Sequence, residues 1–94
     1  LLQRITAMSY QVTLHKRVLK RLRSIQRKHK DQILTRFRTL ADNPRPQDQI
    51  KLKSPLEGYR ITIGEYRALY TIDDDKNVIH IYLVIQRGEG YPEN

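Results

Sequence analysis

The sequence contains no cysteine. That absence removes disulfide staples, thiolate nucleophiles and thiolate metal sites together, and it suits a reducing compartment, so a cytoplasmic location is expected. Acidic residues are missing from the first 30 positions, which hold nine of the 18 lysines and arginines. That segment therefore carries +9, and the other 64 residues carry 9 − 10 = −1. A field of one sign concentrates polyanions and speeds their encounter. No apolar run approaches the length of a membrane span. Glycines number four, and they assemble neither a phosphate-binding loop nor a dinucleotide fingerprint; no Ser-His-Asp pattern stands out either. The leading LLQRITA is too short for a secretory signal and lacks its cationic-then-apolar order. Met8 reads as a natural start, residues 1–7 as an upstream extension, and 8–94 as one small domain with a modest core.

What the chain does have centres on YRITIGEYRALY, from Tyr59 to Tyr70. Apolar and polar residues alternate from Tyr59 to Ile63, the period of a half-buried strand. Gly64-Glu65 interrupts, and a second strand is expected from Tyr66 to Ile72. Glycine at the first position of a two-residue loop suits a tight hairpin turn. Paired strands would bring Arg60 near Arg67, and two forked guanidinium groups on a rigid hairpin make a phosphate clamp.

Around this hairpin the pattern predicts β-α-α-β-β-β. Alternation from Tyr10 to Leu14 gives a first strand. Val18, Leu19, Leu22 and Ile25 then fall on one helical face, and Lys16, Arg17, Lys20, Arg21, Arg23 and Arg27 occupy the rest. That helix needs its apolar stripe for the core, which argues against a membrane-surface role. Ile33, Leu34, Phe37 and Leu40 mark a second helix opening near Asp31, whose carboxylate suits a helix N-terminus. Asn43-Pro44 closes it. The proline-bearing connection from Asn43 to Gly58 is long for a structureless loop, and a brief extended segment is expected near Lys51–Lys53. Asp73 to Asn77 forms a polar turn, and Val78 to Ile85 a last, nearly continuous apolar strand. The expectation is an α+β fold: a four-stranded, largely antiparallel sheet with a two-helix hairpin on one face. The helices would cover Ile61 and Ile63, leaving Arg60 and Thr62 on the other face. Parity does not settle the face of Arg87, since a bulge in the last strand would re-aim it.

His15, His29 and His80 have no metal-ligand spacing, and Asp73, Asp74 and Asp75 read as a solvated turn, so no metal site and no cofactor is expected. The residues left to carry chemistry are Arg60, Arg67, Arg87 and Tyr91, with Lys51 and Lys53 near them.

On these residues the sequence resembles the RelE/ParE superfamily of bacterial toxin–antitoxin toxins, over nearly all of residues 8 to 91. The resemblance rests on NPRP after the second helix, KLK before LEGYRITIGEYRALYTIDDD, and the closing Arg87-x-x-x-Tyr91; the run from Lys51 to Asp75 is its specific part. In the RelE branch it implies a ribosome-dependent endoribonuclease that cuts mRNA in the decoding site and is silenced by an adjacent acidic antitoxin. The family's catalytic positions fall on Arg60, Arg67, Arg87 and Tyr91. Lys51, Lys53 and the cations Lys16, Arg17, Lys20, Arg21, Arg23 and Arg27 would contact RNA or the ribosome. Two positions depart from the pattern. Thr62 stands where many RelE-like chains carry Lys or Arg, and Gln86 stands where His is frequent. Those departures keep open the ParE branch, which acts on DNA gyrase rather than RNA.

Overall fold

The computed structural model describes residues 9–91. Met8 and the segment read as an upstream extension lie outside the described residues. Strand β1 is Gln11–Leu14, helix α1 Lys16–Arg23, helix α2 Arg27–Asp42, and β2 Ile50–Lys51; β3 is Tyr59–Ile63, β4 Tyr66–Asp73 and β5 Val78–Gln86. The strands form one sheet in the order β1-β5-β4-β3-β2. β2, β3, β4 and β5 pair antiparallel to their neighbours, while β1 lies parallel to β5.

The sheet thus has five strands and is mixed, where four largely antiparallel strands were expected. The extra strand is the extended segment of the long connection, two residues that hydrogen-bond the outer edge of β3. With that edge taken, β1 pairs with β5 instead, and a strand entering beside β5 ahead of the helices runs parallel to it. Alternation in β1 fixes which residues face the core but carries no information about partner or direction.

Both helices pack on one face, as expected. Val18, Leu22 and Ile25 from the α1 region join Ile33, Phe37 and Leu40 of α2 over Ile61, Ile63, Ala68, Tyr70, Ile79, Ile81 and Val84. Leu19, placed on that stripe by the sequence, is 45% exposed instead. The second helix opens at Arg27, a turn earlier than expected, and its first turn holds no acidic residue. Asp31 is therefore interior to α2, where it faces Arg27 one turn back at 3.9 Å. At the start of α1 the cap is a histidine: the Arg17 N–H donates to His15 Nδ1 at 3.0 Å.

The opposite face is only partly open. A register shift between Leu69 and Tyr70 leaves Tyr82 as an extra residue in β5, since Leu69 pairs with Leu83 and Tyr70 with Ile81. This bulge reverses parity, so Ile79 and Ile81 face the helices while Leu83 and Ile85 face away. Leu52 and Leu56 of the β2–β3 connection fold over Leu69, Leu83, Ile85 and Tyr82 as a second small core. The apolar run of β5 is continuous because both of its faces are covered.

Candidate functional site

The Gly64-Glu65 turn closes the central hairpin as the sequence implied, with Gly64 at φ +58° and Ile63 paired to Tyr66. Register then places Arg60 opposite Leu69 and Thr62 opposite Arg67. Arg60 and Arg67 are therefore diagonal neighbours on the face away from the helices, within reach of one another's long side chains. Both are half-buried, and the Nε–H of each is withdrawn from solvent with no acceptor among the described residues. A buried donor without a partner costs about 1–3 kcal/mol, so among the described residues the hairpin holds two cations with one unmet Nε–H each.

The tail completes the set. The Arg87 N–H donates to the Glu65 carbonyl at 2.6 Å, carrying the β4–β5 ladder past its last strand residue. Ile85 pairs with Arg67 on the Arg60 face, and Arg87 follows two residues later, exposed in the turn that leaves β5. Arg60 Nη1 donates to the Tyr91 hydroxyl at 3.1 Å, and the Tyr91 side of that bond stays 37% exposed. Arg60 and Arg67, from β3 and β4, thus share one face with the Tyr91 hydroxyl, and the backbone of Arg87 is tied to the end of the same hairpin.

The lysines are placed differently. Lys51 pairs with Tyr59, which packs toward the helices, so Lys51 leaves the sheet on the face away from Arg60. The residue opposite Arg60 is Ile50, 49% exposed. Lys53 is exposed and opens the turn that its carbonyl closes with the Leu56 N–H. On α1, Lys16, Lys20 and Arg23 are exposed, as is Arg27 at the head of α2. Arg17 and Arg21 are engaged within the chain. Arg17 Nε donates to the Tyr82 carbonyl at 2.6 Å, capping the β5 edge that β1 is too short to cover. Arg21 forms an ion pair with Glu89 at 2.5 Å. Nothing in the sequence signals either contact, since both cross more than 60 residues.

Two further networks tie the connections to the sheet. The Tyr82 hydroxyl donates to the Glu57 carbonyl at 2.6 Å, fastening the loop over the second core. Arg45 binds both oxygens of Asp74, at 2.8 and 3.3 Å, and Tyr10 donates to the same carboxylate at 2.7 Å. These two donors hold the Asp74 carboxyl below its usual range, Arg45 most strongly. Tyr70 is fully buried and donates to the Pro44 carbonyl at 2.8 Å; burial pushes its phenol up to about 12. The histidines do not converge on the arginines: His80 bonds Thr13 at 2.7 Å, 6.3 Å from His15 between ring centroids, and His29 lies against Tyr66.

A two-helix layer on a five-stranded mixed sheet is the fold of toxins from type II toxin–antitoxin systems. The family model described as the ParE toxin of the type II toxin-antitoxin system parDE matches residues 12–91. The protein that carries the name toxin RelE1 in Methanocaldococcus jannaschii is 32% identical over 87 residues, 89% of this chain and 97% of its own. The chain belongs to this family, the RelE/ParE superfamily of toxins. Among solved structures it is similar to the archaeal RelE–RelB complex of Pyrococcus horikoshii, at 30% identity and TM-score 0.74, covering 88% of this chain and 100% of that one. The RelBE2 toxin–antitoxin complex of Mycobacterium tuberculosis shares the fold at TM-score 0.77 and 23% identity, with 89% and 98% covered. Among the described residues no helix is long and apolar enough to cross a membrane.

Proposed function

We propose that this toxin is a ribosome-dependent endoribonuclease that cuts mRNA in the cytoplasm and is silenced by an acidic antitoxin. The observation that carries this reading is the Arg60–Arg67 pair, two cations on one sheet face whose Nε–H groups lack acceptors among the described residues. A phosphodiester supplies the oxygens such donors lack. RNA carries its own nucleophile, so the protein need only aim the 2′-OH at the adjacent phosphorus and stabilise the charge that develops. The 2′-oxygen forms a bond to phosphorus as its proton leaves to a base. The P–O5′ bond breaks, and the 5′-oxygen takes a proton. The products are a 2′,3′-cyclic phosphate and a 5′-hydroxyl. Arg60, Arg67 and Arg87 would meet the developing negative charge with hydrogen bonds that strengthen in the transition state. Tyr91, exposed and held on Arg60, is placed to stack on a base or to pass a proton. The exposed Lys16, Lys20, Arg23, Arg27 and Lys53 would contact ribosomal RNA, while Lys51 would do so from the other side of the sheet edge.

The antitoxin reading is supported by the two complexes to which the fold is similar, each solved with RelB beside RelE. The +9 carried by residues 1–30 suits an acidic segment that orders on contact. A second reading, a gyrase inhibitor without nuclease activity, is favoured by the ParE name of the matching family model and by Thr62. Primer extension on mRNA after brief expression, run beside a gyrase supercoiling assay, separates the two. Cuts within translated codons with supercoiling untouched support the nuclease; the reverse result rejects it.

A further inference from the structure

The tail that carries Tyr91 is irregular beyond Gln86, yet its tyrosine reaches β3, two strands across the sheet from β5. Strands lie about 4.8 Å apart, so the chain must fold back and be held there. One carboxylate joins the fold-back to α1. Glu89 Oε1 accepts from the Gln86 N–H at 2.8 Å and from Arg21 Nη2 at 2.5 Å, and Oε2 accepts from Arg21 Nη1 at 3.4 Å. The Glu89 N–H returns to the Gln86 carbonyl at 2.9 Å, closing a turn through Gly88. The Gln86 amide and Arg21 hold the Glu89 carboxyl below its usual range, in that order of effect. Gly90 then lines a groove of about 490 Å³ between α1 and β5, with Arg17, Lys20 and Arg21 on its helix side. One residue later the Tyr91 hydroxyl rests on Arg60.

We infer that the Arg21–Glu89 pair is a clasp that sets the position of Tyr91 on Arg60, so that Arg21 acts on the site through the tail and not by touching RNA. Its effect on cleavage rests on the nuclease reading above; its effect on the tyrosine does not. An exposed ion pair contributes little to global stability, so loss of the clasp belongs in site geometry and rate. Misplacing a reacting group by an ångström costs on the order of 10²-fold in rate.

The test uses the whole chain labelled with 3-fluorotyrosine, whose six tyrosines give six fluorine resonances, that of Tyr91 assigned by its loss in Tyr91→Phe. Arg21→Met and Glu89→Gln should each shift the Tyr91 resonance, slow single-turnover cleavage on programmed ribosomes by about 10–10²-fold, and melt with the parent. Arg21→Lys, which keeps the ion pair, should move the resonance least. Arg38→Gln removes the same charge from α2 and should leave the resonance in place. If Arg21→Met leaves the resonance unmoved, the clasp is refuted, and a rate loss in that variant would assign Arg21 to RNA contact instead. If the resonance moves as expected but the parent cuts no mRNA, the clasp stands and the nuclease reading falls.

Discussion

Gly58 lies so close to the carbonyl oxygen of Tyr70 that no Cβ fits between the two backbones. Its φ of +83° is also one that L side chains rarely adopt. The pressure comes from both sides, because the Leu52 N–H donates to the Gly58 carbonyl while β3 begins at the next residue. Gly58→Ala must therefore push the β2–β3 connection off β4 and uncover Leu69 and Leu83. A loss of more than about 3 kcal/mol is expected, read by denaturant unfolding. Gly90→Ala, where a Cβ meets nothing within 4 Å, should unfold with the parent.

Arg67 gives a prediction in which stability and activity move oppositely. Its Nε–H is buried without an acceptor among the described residues, and Arg67→Met removes that donor while keeping an apolar stem beside Ile85. The variant should melt at or above the parent temperature, with a gain of up to about 1 kcal/mol. Cleavage should fall by about 10²–10³-fold if the guanidinium stabilises transition-state charge. Arg87→Ala should lose rate similarly with an unchanged melt. An unaltered rate in both variants would leave charge stabilisation to Arg60 alone.

The α1 cap makes stability depend on pH. His15 must be neutral at Nδ1 to accept the Arg17 N–H, and its pKa is lowered by desolvation, then by the neighbouring charges of Arg17, His80 and Lys16. The unfolded chain binds that proton more readily, with a pKa near 6.5, so it holds more protons than the folded chain just below that value. The cap's contribution is therefore complete above about pH 6.5 and is lost as pH falls from there through the lowered folded pKa. Melting from pH 8 to pH 5 should show this decline, and His15→Asn, which keeps an acceptor without a titrating ring, should flatten it. A decline of equal slope in the variant would assign it to other groups.

Much of this architecture is legible in the sequence because it is written in local periods. The central hairpin, both helices and the helix-facing Ile61 and Ile63 follow from alternation and from 3.6-residue spacing. Arg60, Arg67, Arg87 and Tyr91 were legible as candidates, the first two from the turn alone. The contacts that finish the site are not local. A triplet of aspartates reads as a solvated turn, yet Asp74 alone is taken by Arg45, 29 residues away. The bulge at Tyr82 leaves no mark in a run that is apolar on both faces, and it sets which of the β5 residues turn away from the helices. The direction of Lys51 depends on pairing with β3, which a two-residue strand cannot announce. Arg21 looks like any helix-surface cation until the tail returns with Glu89.

Thr62 is one of the two positions that, read from the sequence, depart from the RelE-like pattern, and register makes the consequence of placing a cation there concrete. Thr62 is exposed directly opposite Arg67, so a lysine there would place two like charges on a cross-strand pair with Cβ atoms about 5 Å apart. Without RNA, Thr62→Lys should lower stability by about 0.5–1 kcal/mol, and added salt should recover part of that loss. On the proposed nuclease reading, the added cation would meet an RNA phosphate instead. A charge-assisted hydrogen bond of about 1.5–3 kcal/mol then offsets the repulsion, and cleavage should be maintained or rise by up to about tenfold. Single-turnover cleavage and thermal melting at two salt concentrations measure both halves. A variant that is folded but clearly slower than the parent would mean that Thr62 belongs to this site as it stands, a small polar residue leaving room beside Arg67, and not a cation that has been lost.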